Sequence, residues 1–403
     1  MPQIELKKGS TLILHGPASA ILVEGKASIL GCPLSSRRKL VIKSWRSRPI
    51  HAEENSIIEY TYGGEGGMEV IDGDTIPREW KNFVEKIAEK KVCISVYGGI
   101  DSGKTSLATY ILNSLVKKFK FAIYLDLDLG QSNICPPTTI GHVSLKFPIP
   151  DVSYLRMEAG EVVGYTSPAP VVQKHIDAAK ALLNQLKAEN SEASISADFD
   201  GWVLGEAAIS HKRELLRILR PDHLASIGEV PAKLKEACED LDITYEELPP
   251  PFNVRKREQA ARKKLREISY NRFLRKTSLR KLPITWINPR TLNGLEEGRK
   301  ISAYIEKIVN GFLEKEDLIL KSRGTEALEE LSKKGAGLLS YVYDMSDKFA
   351  GIGLLMGFDV KKNYLKILTP YSGQIKKLII GLVMLSTEGE ELYADLTALA
   401  QAL

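Results

Sequence analysis

The spacing of apolar and polar positions changes twice along the chain. Over residues 1 to about 73 the apolar residues fall in short alternating runs, at 11–15, 20–23, 27–30 and 40–42. Turn signals at Lys8-Gly9, Gly16-Pro17, Glu24-Gly25 and Gly63-Gly64 separate them, a spacing that predicts a small all-β domain. Ile76-Pro77 breaks the pattern, and 80–90 is predicted to be a linking helix. From about Lys91 strands alternate with helices, the signature of a parallel sheet. A buried strand is predicted over 92–96, a second over 121–125, a helix over 104–115 with Leu107, Ile111 and Leu115 on one face, and a helix over 170–187 with Ile176, Ala179 and Leu183 in its stripe. Beyond about Lys281 the chain is predicted to return to short strands at 301–308, 337–343, 351–358, 365–369 and 378–385. The expected architecture is therefore α/β in three parts. A β-rich domain covers 1–75, a central domain with a parallel sheet flanked by helices covers 76–281, and a smaller, mostly β domain covers 282–403.

Composition changes this picture little. Of 403 residues 43% are hydrophobic and 27% charged, ordinary for a soluble globular chain. No apolar run approaches the roughly 18–20 residues that span a bilayer; the longest, 378–385, reads as a buried strand. The N-terminus, Met1-Pro2-Gln3-Ile4-Glu5, lacks the charged and apolar regions of a secretory signal. The four cysteines are far apart and form no CxxC pair, which argues against a disulfide framework or zinc site and for a reducing cytoplasm. None of the six histidines has metal-site or dyad spacing, and they read as surface or packing residues.

Charge is distributed unevenly. Between Arg255 and Lys281 stand twelve Lys/Arg against Glu258 and Glu267, a local charge of +10 within a chain of net charge +5. A basic segment of this density suits a polyanionic partner, although a solvated basic helix would read the same way.

The strongest chemical signal is Gly98-Gly99-Ile100-Asp101-Ser102-Gly103-Lys104-Thr105, followed by Ser106. It fits G-x-x-x-x-G-K-[ST] between a predicted strand and a predicted helix, the context that makes this motif a nucleoside-triphosphate site. Glycine lets backbone N–H groups turn inward around phosphates, and the helix adds its positive N-terminal end. Lys104 is expected to neutralise the β- and γ-phosphates and Thr105 to ligate Mg2+. The second strand runs out through Asp126-Leu127-Asp128-Leu129-Gly130-Gln131. Acids at i and i+2 of an extended strand point the same way; if the strand stops at Asp126, Asp128 lies instead in the loop above the phosphates. These motifs define an NTP-using enzyme and leave the phosphate acceptor open.

The ordered set of motifs resembles the Clp1/Grc3/Nol9 family of polynucleotide 5′-hydroxyl kinases, its archaeal members most. It comprises the loop above, Asp126-x-Asp128-x-Gly130-Gln131, Cys135-Pro136-Pro137-Thr138-Thr139-Ile140-Gly141, Gly164-Tyr165-Thr166-Ser167-Pro168, Asp200-Gly201-Trp202-Val203-x-Gly205 and the basic stretch 255–272 closing on Tyr270-Asn271-Arg272-Phe273. The β-rich segment ending Ile76-Pro77-Arg78-Glu79-Trp80 agrees as well. One departure stands out: Asp198 and Phe199 occupy the positions where the family usually carries Asn-Thr.

The resemblance implies transfer of the γ-phosphate of ATP, with Mg2+, to the 5′-OH of RNA, with DNA left open. It implies Asp126 as proton acceptor, because it ends the strand taken as nearest the P-loop, and Asp126 and Asp128 as acidic groups toward Mg2+. Asp128, Gln131, Ser167 and Trp202 would contact the acceptor, Trp202 by stacking on a base. The segment 255–273 would be an arginine-rich lid. At about 100° per residue Arg255, Arg262 and Arg266 fall in one narrow sector with Phe273, while Ala261, Leu265 and Ile268 form an apolar stripe. Arg262 and Arg266 are therefore the candidates for charge neutralisation at the transferring phosphate, with Arg255 toward substrate. The competing expectations are a nucleotide-bound, non-catalytic scaffold in an RNA-processing assembly, and a P-loop GTPase or ATPase. The latter ranks last because no Asn-Lys-x-Asp motif is present.

Overall fold

Trp80, Phe83, Val84 and Ile87 recur at i, i+3, i+4 and i+7, and all four are buried on one side of the helix Arg78–Ile87. That helix links the β-rich segment to the nucleotide-binding sheet, and its Trp80 indole N–H donates to Pro249 O at 2.9 Å. The computed structural model describes residues 1–189, 192–252 and 258–394. They divide into two compact units. The first comprises Met1–Asp128, Gly141–Glu158 and Val172–Ala261, the second Leu129–Ile140, Ala159–Val171 and Arg262–Leu403.

In the first unit the N-terminal segment forms a four-stranded and a five-stranded antiparallel sheet. Leu12, Leu14, Ile29, Ile42, Ile50 and Ile58 close their core, as alternation in the sequence requires. The segment is fastened to the P-loop helix, Lys104–Phe119, by the buried Asn113 amide, which donates to Leu30 O at 2.8 Å and to Ile149 O at 2.9 Å. A second tie is Arg48, whose Nε and Nη2 both reach Oδ2 of the buried Asp151 carboxylate. Burial alone would raise that carboxyl, but Arg48 and Arg46 outweigh it and hold Asp151 down at about 2.

The nucleotide-binding sheet carries, side by side, strands Thr139–Leu145, Ala122–Asp126, Ser194–Asp198, Cys93–Gly98, His223–Ile227 and Thr244–Leu248. Only Thr139–Leu145 runs antiparallel to its neighbour; the other pairings are parallel. Parallel strands covered by helices are buried on both faces and read as near-continuous apolar runs. All five residues of Ala122–Asp126 and all five of Ser194–Asp198 are buried accordingly.

The second unit is built on a sheet in the order Ser278–Leu282, Tyr364–Thr369, Phe349–Asp359, Ala336–Tyr343, Lys377–Ser386 and Asn288–Thr291, with Glu391–Ala394 added to Lys377–Ser386. One expected strand is overturned: 301–308 lies inside the helix Gly298–Lys315. Ile301, Tyr304, Ile305, Ile308, Val309 and Phe312 are its buried residues, a 3.6-residue period that a short apolar run disguises. Among the described residues no helix is long and apolar enough to cross a membrane.

Candidate functional site

The strand Cys93–Gly98 ends where the loop begins, and six residues later Lys104 opens the helix. Gly103 has φ +103°, and a Cβ there would lie 2.7 Å from the Pro251 ring. Any other residue would be strained by its backbone and would clash with Pro251. Lys104 is buried, and its ammonium folds across the loop to donate to Gly99 O at 2.7 Å. The Ser102 hydroxyl is buried within the same loop and has no hydrogen-bond partner. Ile100, by contrast, stands out into solvent.

The P-loop strand is hydrogen-bonded on one side to Ser194–Asp198, with Val96 opposite Asp198. This corrects the sequence expectation that the Asp126 strand is the nearer one. Ala122–Asp126 lies one place further out and pairs with Ser194–Asp198, so that Asp126 and Asp198 are direct neighbours at two strand ends. The Thr105 hydroxyl donates to Asp198 Oδ2 at 2.6 Å and the Tyr124 hydroxyl to the same oxygen at 2.9 Å. Asp198 Oδ1 is buried without a partner. Burial pushes this carboxyl up to about 6, against the pull of the Lys104 ammonium and the Thr105 hydrogen bond.

Asp126 is fully buried, and its Oδ1 accepts the Asp128 backbone N–H at 3.1 Å. The strand stops at Asp126, so Asp128 lies in the following turn, half-buried, and adds negative potential at Asp198. Lys104, Thr105, Asp126, Asp128 and Asp198 thus meet at the carboxyl ends of parallel strands, the edge at which open α/β sheets bind ligands. Oxygen donors from Thr105 and the acids, one of them orphaned and buried, fit a hard divalent cation of the Mg2+ type.

Trp202 is half-buried. Its backbone N–H donates to Asp200 Oδ1 at 2.9 Å. Between them Gly201 sits against the P-loop: a Cβ there would be 2.8 Å from Ile100 Cγ1 and 3.1 Å from Ile100 N. Phe199 is fully buried core.

The remaining candidates among the described residues belong to the second unit. Gln131 Nε2 donates to Arg262 O at 3.1 Å, and Arg272 donates to Asn133 O at 2.9 Å. These bonds tie the turn after Gly130 to the basic helix Gln259–Phe273. Ser167 Oγ accepts the Ala169 N–H at 3.4 Å within its own turn. Arg266 is committed to Glu391, with Nε to Oε1 at 2.6 Å and Nη2 to Oε2 at 2.8 Å. That bidentate pair splits the expected arginine line, because Arg266 already has a carboxylate to neutralise. The residues the helix buries are Tyr270 and Phe273, while the expected stripe of Ala261, Leu265 and Ile268 is only half-buried. Arg255 lies outside the described residues.

Two features escaped the sequence. Asp198 was legible only as a departure from a family pattern. His175 and His211, read as isolated, meet Asp200 in one buried cluster; their spacing of 36 residues gives no local sign of it.

The strand–loop–helix, its buried lysine and the flanking acids define a P-loop nucleotide-binding domain. Residues 98–276 match the family described as mRNA cleavage and polyadenylation factor CLP1 P-loop. The chain is 27% identical over 344 residues to a polyribonucleotide 5′-hydroxyl-kinase of Thermococcus kodakarensis, covering 79% of this chain and 95% of that one. The enzyme of the same name from Methanocaldococcus jannaschii is also 27% identical over 344 residues, with 76% and 91% covered. Human polynucleotide 5′-hydroxyl-kinase NOL9 is 26% identical over 161 residues, 38% of this chain and 22% of that protein. In solved structures the same fold occurs in Clp1p of a Clp1p–Pcf11p complex, with a TM-score of 0.69 at 13% identity, covering 94% of this chain and 97% of that one.

Proposed function

We propose that this chain is an ATP-dependent polynucleotide 5′-hydroxyl kinase acting on RNA ends, DNA remaining open as a second acceptor. The observation that carries the reading is the meeting of Lys104, Thr105, Asp126 and Asp198 at adjacent parallel strand ends. Moving a γ-phosphoryl group onto a hydroxyl is chiefly positioning and charge neutralisation, and the site is supplied for both. Residues 98–106 cradle the triphosphate, and the orphaned Ser102 hydroxyl gains a phosphate acceptor there. The Lys104 ammonium exchanges Gly99 O for phosphate oxygens. Mg2+ would be held by Thr105 and Asp198, with Asp126 and Asp128 close enough in the fold to contribute; when bound it offsets phosphate charge.

Asp126 is the proton acceptor for the 5′-OH. It is buried, on the strand next to Asp198, and restrained by the Asp128 N–H. A base held in this way adds roughly 10²–10⁴-fold. Trp202 offers a ring face to the terminal base. Asp128, Gln131 and Ser167 are kept as candidate acceptor contacts. On residue type and helix position alone, Arg262 supplies charge to the transferring phosphate, Arg266 less so because of Glu391. The relatives' names support RNA as the acceptor class. Incubation with γ-labelled ATP and a 5′-OH oligoribonucleotide tests the reading: label on the oligonucleotide end supports it, and release of free phosphate without transfer overturns it.

A further inference from the structure

Beneath the Asp200–Gly201–Trp202 turn lies a buried cluster that phosphate binding leaves unused. Asp200 accepts the Trp202 backbone N–H on Oδ1 and the Lys212 ammonium on Oδ2, and both side chains are essentially inaccessible. Lys212 Nζ also lies 3.3 Å from His211 Nδ1, while His211 Nε2 is 3.0 Å from His175 Nδ1. The His211 ring stands 5.6 Å from the Trp202 ring, tilted by 36°. His175 and His211 are carried on the neighbouring helices Val172–Glu189 and Glu206–Leu219, both on the faces that pack into the core.

Ligand atoms of His175, Asp200 and His211 all fall within 4.8 Å of one another, a spacing that suits a cation. Lys212 supplies that cation. One carboxylate, one ammonium and two imidazoles make a neutral set, and a divalent ion would have to displace a buried ammonium to enter. Burial drives His175 down to about 4 and His211 down to about 2, so both rings are neutral at physiological pH. Burial also favours the neutral form of Asp200, but Lys212 outweighs it and holds that carboxyl below its usual range.

A neutral buried network of this kind, linked from Asp200 through Lys212 and His211 to His175 and leaving His175 Nε2 without a partner, fixes what it touches. It touches the turn at two points, the Trp202 N–H and the Trp202 ring. Gly201, between them, lies against Ile100 of the P-loop. We propose that His211, backed by Lys212, Asp200 and His175, is a positioning residue that holds Trp202 as a preset platform for the acceptor's terminal base. This rests on the reading of Trp202 as an acceptor contact and adds what keeps it in place.

Two variants of His211 separate positioning from folding. His211→Gln keeps hydrogen bonds toward His175 and Lys212 and removes the ring; His211→Phe keeps a ring and removes the hydrogen bonds. With the full chain, an ATP analogue and a fluorescent 5′-OH oligoribonucleotide, anisotropy reads acceptor affinity, and thermal melting is followed in parallel. Base stacking is worth roughly 1–3 kcal/mol, so Trp202→Ala is expected to weaken binding about tenfold. His211→Gln is expected to weaken it at least about fivefold with little change in melting temperature. His211→Phe is expected to melt lower yet bind within about twofold of wild type. ATP affinity stays unchanged in all three. If Trp202→Ala binds normally, the reading of Trp202 fails and this inference with it. Loss in Trp202→Ala with normal binding in His211→Gln overturns this inference alone, as does binding that merely follows melting temperature in both His211 variants.

Discussion

The nucleotide-binding face of the first unit and the basic helix of the second use charge in opposite ways. On the first, the ionisable groups are buried and closed into short networks: Lys104 on Gly99 O, Thr105 and Tyr124 on Asp198, Lys212 on Asp200. On the second, a dense run of Lys and Arg is half-buried or exposed, and its best-defined pair, Arg266–Glu391, leaves about a fifth of the arginine side chain accessible. Buried networks are preorganised, which is what phosphoryl transfer draws on. Surface pairs are worth little individually and are screened by salt. The chemistry is therefore expected to depend steeply on single residues of the first unit and more gradually on those of the second.

The largest expected effect is on transfer itself. Lys104→Ala and Asp126→Asn should each lower the rate of label transfer by at least about 10³-fold, or about 4 kcal/mol, with melting temperature little changed. A loss of tenfold or less in either would remove the contrast between the two regions. Next comes Arg262→Ala, expected to lower kcat about 10²-fold while ATP affinity stays within a few-fold; Arg266→Ala should cost less than tenfold. Reversal of that order would show that the Glu391 pair breaks during turnover.

A third test uses acid. The folded-state pKa of His175 is pushed down by burial, from 6.5 to about 4. The stability of its neutral form is thus present above pH 6.5 and is lost as pH falls toward 4. From pH 7 to pH 5 that loss is about 2 kcal/mol for this one group. His175→Gln should remove it from the pH dependence of denaturant unfolding. Equal slopes in wild type and His175→Gln would contradict the assignment. A fourth test is Asp198→Asn. It preserves acceptance from Thr105 and Tyr124 and removes one charge, and it should raise KM for ATP–Mg2+ about tenfold.

The two regions also differed in how far the sequence disclosed them. Residues 98–105 are contiguous, and their strand–turn–helix setting follows from local periodicity, so the loop was readable from the string alone. Asp126 was readable for the same reason. Asp198 was not, since its role needs the sheet order, which brings it to Thr105 across 93 positions of sequence. His175 and His211 meet only because two helices pack, and Arg266 finds Glu391 across 125 positions. The helical reading of 301–308 was lost to a different cause. Ile301, Tyr304, Ile305 and Ile308 fit a helix, but in an eight-residue window among β segments the strand reading competes. Local chemistry was legible, and long-range pairing was not.

The most direct test of the central claim is label transfer from γ-labelled ATP to a 5′-OH oligoribonucleotide by wild type, Lys104→Ala and Asp126→Asn side by side, with the matching DNA oligonucleotide as a second acceptor. The account predicts labelled RNA with wild type only, dependent on added Mg2+. Absence of transfer by the wild-type chain, or transfer undiminished in either variant, would contradict it.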